Sequence, residues 1–275
     1  MSNNINHTTG DIFIPTVWSK ELIMAVEPEL VLASRVWRHD DAVSEFGDTL
    51  IIPQISQLEA NDKVQNIDVN LQAPTEAGIT LLVNKHKESS FVIEDKLSRQ
   101  AKYNLLNVYK GQAAKAIARS ADSDLAGLFS GFSQTTGTYN TAITTDVILD
   151  AIELLDNADV PQTERYFCFR PDVKRDLLDL ATYTSKDFVG GDSPVRTGII
   201  GDLYGVETAM STNLVKTGNN TNNGLFHKEA ISMAWQLKPR MQMQYDLLKL
   251  GTVCVADSMW GTIETRDTYG VLIKT

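Results

Sequence analysis

GDTLIIPQISQLEANDKVQNIDVNLQAPTEAGITLLVNKHKESSFVIED, residues 47–95, is the stretch on which the fold turns. Its strand-like pieces are Thr49–Ile52, Ile79–Val83 and Ser90–Ile93, where β-branched and other apolar residues concentrate. Between the first two lies a long polar run with few large apolar side chains. Such a run buries little surface by itself, and loops beyond about 15 residues need a special reason in a compact domain. The segment reads as a two-stranded arm whose partner lies elsewhere, on another chain included.

The strongest helical signal in the sequence comes directly after the arm. In KLSRQAKYNLLNVYKGQAAKAIARSADSDLAGLFSGF, residues 96–132, Leu97, Ala101, Leu105, Val108, Ile117, Ala121, Leu125 and Leu128 recur mostly at three or four residues. A helix over 96–129 would be about 50 Å long, more than the diameter of a small domain. Gly111 falls within it and marks a bend or a close contact. Upstream of the arm, residues 1–11 have no periodicity. Ile14–Trp37 then predicts an amphipathic helix of about three turns, with Pro15 in its first turn and Pro28 ending it before an extended run.

Downstream, SGFSQTTGTYNTA (130–142) reads as a linker. TTDVILDAIELLDNADVP (144–161) is a helix with a capping threonine and Asp146 in its first turn. YFCFRPDVKRDLLDLA (166–181) reads as strand, turn and short helix, an order that suggests a mixed α/β domain. TGNNTNNG (217–224) reads as a surface loop. The remaining short strands fall into two groups that the proline after MAWQL assigns to different sheets, with a closing strand at Tyr269–Lys274.

The chain of 275 residues is 43% apolar and 22% charged, enough for a core and far from a disordered composition. Its formal charge of −10 repels nucleic acid and suits no anionic membrane. No run approaches the length of a spanning helix, and the start, MSNNINHTTGD, is no secretory signal. Cys168 and Cys254 lie in apolar strand-like runs and read as free buried thiols, although spacing alone leaves a bridge open.

A search for chemistry returns little. GIIGDLYGVETAMSTNLV (198–215) carries Gly198, Gly201 and Gly205 at spacings of three and four, not the one-then-three of a dinucleotide fingerprint. A strand and turn come next rather than a helix, so these glycines are read as loop and hairpin residues. His7, His39, His86 and His227 show no metal-ligand interval. Asp122 and Asp124, two apart on a helix, read as a solvated face, and Asp40 and Asp41 beside His39 lack any nucleophile motif. Trp18, Trp37, Trp235 and Trp260 read as core or interface anchors. No catalytic, cofactor or metal residue is predicted. A polar arm and a long excursion make sense where subunits lend each other edges.

The order of these features resembles the major capsid (coat) proteins of tailed bacteriophages with the HK97-type fold. FIPTVWSKELIMAVEPELVLASRVWRHD followed by GDTLIIPQIS is similar to the opening of one branch of that family. DNADVPQTERYFCFRPDVKRDLL and GDLYGVETAMSTNLV resemble two of its later segments, and the likeness runs over nearly the whole chain. Glu207 and Thr208 depart from it, standing where the family usually has a plainly hydrophobic strand.

The resemblance implies an α+β fold divided into an N-terminal arm (1–45), an extended loop over a neighbouring subunit (46–93), a peripheral domain with a spine helix (94–139), an axial domain (140–225) and a return to the peripheral domain (226–275). It implies a non-enzymatic shell protein of the virion, assembled in the host cytoplasm and enclosing double-stranded DNA without sequence-specific binding. Partners would be further copies as pentamers and hexamers, a portal protein and a cement or decoration protein. A separate scaffolding protein is also expected, since no cleavable assembly domain precedes the arm. Trp18, Lys63, Gly198, Gly201 and Gly205 are the candidate subunit-interface residues. Lys63 is the position in the loop for the lysine of the crosslink found in some members, but no crosslink is predicted. Two alternatives stand beside this reading: an encapsulin-like bacterial compartment shell and a soluble α/β enzyme.

Overall fold

A computed structural model describes residues 31–43, 47–55, 58–66, 68–69, 71–73, 76–100, 105–180 and 201–275. The predicted N-terminal helix, with Trp18, and Gly198 lie outside the described residues. After an irregular turn the chain forms β1 (Trp37–Arg38) and one helical turn, α1 (Asp40–Val43). The arm comes next as β2 (Thr49–Ile55) and β3 (Glu76–Leu82), paired antiparallel from Thr49↔Leu82 to Ile55↔Glu76. Then come β4 (Lys85–Glu94), α2 (Asp95–Gln100) and α3 (Leu105–Leu128). The predicted long helix is thus carried by α2 and α3, with residues 101–104 outside the described set.

A 3₁₀ turn at Phe129–Gly131 leads into β5 (Gln134–Gly137), α4 (Thr145–Asn157), β6 (Arg165–Phe169) and α5 (Pro171–Asp179). After β7 (Glu207–Met210), β8 (Lys216–Thr217) and β9 (Asn220–His227), a second 3₁₀ turn at Lys228–Ala230 opens a long hairpin. Its strands are β10 (Ile231–Asp246) and β11 (Gly251–Glu264). A third 3₁₀ turn at Asp267–Tyr269 precedes β12 (Gly270–Lys274).

Two sheets organise the fold. One has the order β1-β10-β11-β4; the other runs β5-β12-β9-β6-β7, with β8 pairing β9. In α3 the buried residues Ala113, Ile117, Ala121 and Leu125 repeat every four positions. That stripe shares one core with Met233, Trp235, Ala256 and Trp260 of the first sheet. Among the described residues nothing lies within 4 Å of where a Cβ would stand on Gly111, so no close contact there accounts for it.

The second sheet is covered on both faces. Strand alternation sends Phe167 and Phe169 of β6 into one core with Ile148, Ala151 and Leu155 of α4 and Val173 and Leu177 of α5. Cys168, between the two phenylalanines, joins the other core with Phe129 and Phe226. The cap read from the sequence is present: Thr144 Oγ1 accepts from the Val147 amide at 3.5 Å. Both cysteines are free and buried.

Three readings require correction. The stretch 130–142 is not only a linker, since β5 within it pairs in parallel with β12. The polar run 217–224 is not a surface loop: Gly218 (φ +64°) turns β8 into β9, whose Asn223 is completely buried. Its Nδ2 donates to Thr275 Oγ1 (2.9 Å) and Ile273 O (3.4 Å), and its Oδ1 accepts from the Arg170 amide (3.2 Å). A polar side chain so satisfied can occupy a strand interior. Finally, the residues on either side of Pro239 belong to one strand of one sheet. β10 passes through the proline because it is an edge there among the described residues, and the β10–β11 register shifts between Leu237 and Arg240 absorb it.

Candidate assembly surfaces

The arm carries the largest unmet demand for burial. Along β2, Ile52 turns inward and is 8% exposed. Ile51 and Ile55 turn outward, 64% and 73% exposed. The root is anchored where Leu81 and Val83 meet Val43 and Ala234, and farther out Pro53–Ile55 border a cavity with Ala158 and Tyr269. Beyond the strands the two sides stay joined by Glu59 and Gln72: the Glu59 amide donates to Gln72 Oε1 (3.0 Å) and Gln72 Nε2 to Glu59 O (2.6 Å). Leu58, Val64, Val69 and Leu71 stand exposed in this region. Lys63 lies among them, exposed, with its Nζ donating to Val64 O at 2.8 Å.

A second apolar projection is the end of the β10–β11 hairpin. Met243, Tyr245, Leu247, Leu248 and Leu250 are all exposed there, Leu248 almost completely at 96%. Grouped apolar side chains of this size mark surfaces meant to be covered.

The glycine stretch resolves as a turn. Leu203 and Val206 exchange both backbone hydrogen bonds (3.0 and 2.9 Å), leaving Tyr204 and Gly205 between them at φ +52° and +80°. Two left-handed residues in a two-residue loop make a type I′ turn, which requires a glycine-like position. Gly201 sits just before it, its carbonyl accepting from Thr208 Oγ1 at 3.1 Å. Gly201 and Gly205 therefore belong to one structural feature, whereas Lys63 belongs to the arm.

Sequence reasoning missed Asp122. It is not on a solvated face but fully buried on α3. Its carboxylate accepts from the backbone amides of Val31 (3.1 Å), Leu32 (2.8 Å) and Ala33 (3.3 Å), and from Asn213 Nδ2 (3.3 Å). One side chain thus ties the leading segment, the long helix and the loop after β7 together. Asp124 points elsewhere, taking Trp260 Nε1 at 3.1 Å and pairing with Lys85 at 3.3 Å. A few residues along the leading segment, Arg35 grips Glu207 Oε1 through Nε (3.1 Å) and Nη2 (2.6 Å) and lies over the Tyr166 ring. Glu207, which departs from the family pattern, is therefore the acceptor for that arginine.

The buried thiols and histidines are set by desolvation, whereas carboxylates such as Asp257 and Asp172 are held low first by hydrogen bonds from Arg240 and Lys216. Burial pushes the Cys168 thiol up to about 12, which leaves it protonated and inert as a nucleophile. Burial also lowers His227 and His39, the latter against the opposing pull of Asp40. His39 Nε2 lies 3.4 Å from Ser232 Oγ, and Asp40 Oδ1 accepts the Trp235 amide at 3.0 Å. Among the described residues no group of three His, Cys, Asp or Glu side chains could hold a metal, and no helix is long and apolar enough to cross a membrane.

The sequence model of the phage capsid protein family matches residues 125–268, from the end of the long helix through the third 3₁₀ turn. The chain belongs to that family. This capsid protein has an α+β fold of the HK97 type, as the sequence implied. A chain from Mycobacterium phage Che8 is 24% identical and superposes with a TM-score of 0.84, covering 99% of this chain and 98% of that one. The capsid structure of cyanophage P-SCSP1u gives 0.81 at 18% identity, covering 99% and 96%. The capsid of Ralstonia phage GP4 gives 0.72 at 12% identity, covering 100% and 98%. No curated protein matches by sequence. The role is structural, and neither the compartment-shell nor the enzyme alternative gains support.

Proposed function

We propose that this capsid protein is the major subunit of an icosahedral phage head, and that the β2–β3 arm lies across a neighbouring copy. The observation that carries this reading is the outward apolar face of the arm, where Ile51 and Ile55 stay mostly exposed among the described residues. In this reading residues 1–45 are the N-terminal arm and 46–93 the loop over the neighbour. Residues 94–139 with 226–275 form the peripheral domain, and 140–225 the axial domain that meets its copies around five-fold and six-fold centres. The turn at Gly201–Gly205 lies near that meeting point.

The head would enclose double-stranded DNA without gripping it, as suits a chain with a formal charge of −10. Scaffolding, portal and cement proteins are further partners under this reading, with assembly in the host cytoplasm. Each contact can be modest, because many copies engaging together supply avidity. Expression of the chain alone and with a candidate scaffolding protein, followed by electron microscopy, tests the proposal. Closed shells with five-fold vertices are expected. A compact monomer that assembles in neither case would overturn it.

A further inference from the structure

The pairing of β2 with β3 gives the arm two unequal edges. The Val83 amide donates to Asp48 O at 2.8 Å, directly opposite it in the register set by Thr49↔Leu82. Opposite residues in an antiparallel ladder alternate between exchanging hydrogen bonds and turning their backbone groups away. Leu50, Ile52 and Gln54 therefore bond to Leu81, Ile79 and Ala77, while Thr49, Ile51, Pro53 and Ile55 point their backbone groups to the outer edge of β2. Glu76, Gly78, Thr80 and Leu82 do the same on the outer edge of β3. Pro53 thus falls on an outward position. Its missing N–H removes no bond from the ribbon but interrupts the β2 edge, a device that keeps exposed edges from pairing further.

The edge of β3 carries no such block. Its root is covered, because Gly261 of β11 lies so close that a Cβ there would stand 2.4 Å from Leu82 O. Beyond the root Gly78 and Thr80 are exposed, and no third strand joins this sheet among the described residues. A ribbon of two strands is marginal by itself and gains most from a third. Gly78 also links the edge to the outward apolar face. A Cβ on it would stand 2.7 Å from Ile51 Cγ2, so the glycine gives Ile51 room to lie across β3.

We propose that the outer edge of β3, from Glu76 to Thr80, is where a second copy of this chain adds an extended strand to the arm, while Pro53 keeps the β2 edge closed. This rests on the reading of the arm as lying across a neighbouring copy. That reading already sets a copy against the Ile51 face, and Gly78 makes the face continuous with the edge. Backbone groups of Glu76, Gly78 and Thr80 fix the register of the added strand, and Ile51 packs against its side chains. Closure of one edge gives the addition a direction. β2 does not accept what β3 accepts, so arms do not stack edge to edge into an open-ended sheet.

Amide hydrogen exchange resolved to single residues, on the full chain as free subunit and in assembled shells, tests this without a variant. The Gly78 and Thr80 amides are expected to slow at least about tenfold on assembly, and several-fold more than those of Ile51 and Ile55 on the closed edge. Equal protection of the two edges, or none at Gly78 and Thr80, overturns the proposal and leaves the shell reading standing. Protection of Gly78 and Thr80 already present in the free subunit also overturns it, because the strand then comes from the same chain. A chain that stays monomeric overturns both. Thr80→Pro removes an outward N–H by the same device as Pro53. The free variant subunit should keep its denaturation midpoint, and its shell yield should fall at least about tenfold. Full yield from a folded Thr80→Pro subunit overturns the proposal.

Discussion

The six-stranded sheet and the β2–β3 arm are built from the same alternation of side chains and put it to opposite use. In the sheet, β6 sends Phe167 and Phe169 to one core and Cys168 to another, so both faces are dry. In the arm, β2 buries Ile52 near the root and leaves Ile51 and Ile55 facing out. The sheet completes its own burial within one chain, while the arm leaves the outward half of its apolar side chains exposed. Under the proposed reading stability and assembly are lodged in different parts of one sequence, and mutations should separate them.

The sharpest way to break the sheet is Phe167→Ala, which removes a ring that is 1% exposed. It should cost about 3–5 kcal/mol, read as a lower denaturant midpoint. Asp122→Ala comes next. It leaves the Val31, Leu32 and Ala33 amides without their acceptor and should cost about 2–3 kcal/mol. Limited proteolysis should also cut earliest around residues 31–35, where the tie is lost. At the other extreme, Ile51→Ser with Ile55→Ser should change the unfolding free energy of the single chain by no more than about 0.5 kcal/mol each. Shell yield by sedimentation should nevertheless collapse. A large loss of chain stability with assembly intact would erase the contrast between the two regions.

Local signals read well. Thr144 before an acidic first turn, Pro171 opening a helix after an apolar strand, and the tight turn at Gly205 each announce a local conformation, and each is present. The paired strands of the arm were legible for the same reason. The hidden features depend on residues distant in sequence. Asp122 looks like any helical acid until residues 31–33 arrive to donate to it. The asparagine-rich β9 reads as a loop because its Asn223 is satisfied by Thr275 and Ile273, which lie at the far end of the chain. Pro239 looks like a terminator. It becomes tolerable because β1 pairs only with Ser232 and Met233, which leaves that side of β10 open at the proline among the described residues. Among the nominated interface residues, spacing and context point Gly201 and Gly205 to a turn, where they stand. For Lys63 the structure adds its exposure in the arm and a hydrogen bond to Val64 O.

The position of β12 has a consequence for timing. It sits between β5 and β9 in the sheet, yet it comes after both in the sequence. A chain emerging from the ribosome can form α4, β6 and α5, but the strand that joins the two halves of the sheet is made after all of them. Val271 and Ile273, both fully buried, complete the core beneath the two helices only at that moment. A subunit still in synthesis therefore has an unfilled slot where its sheet should close. It cannot offer a finished surface to its copies until that strand has been made.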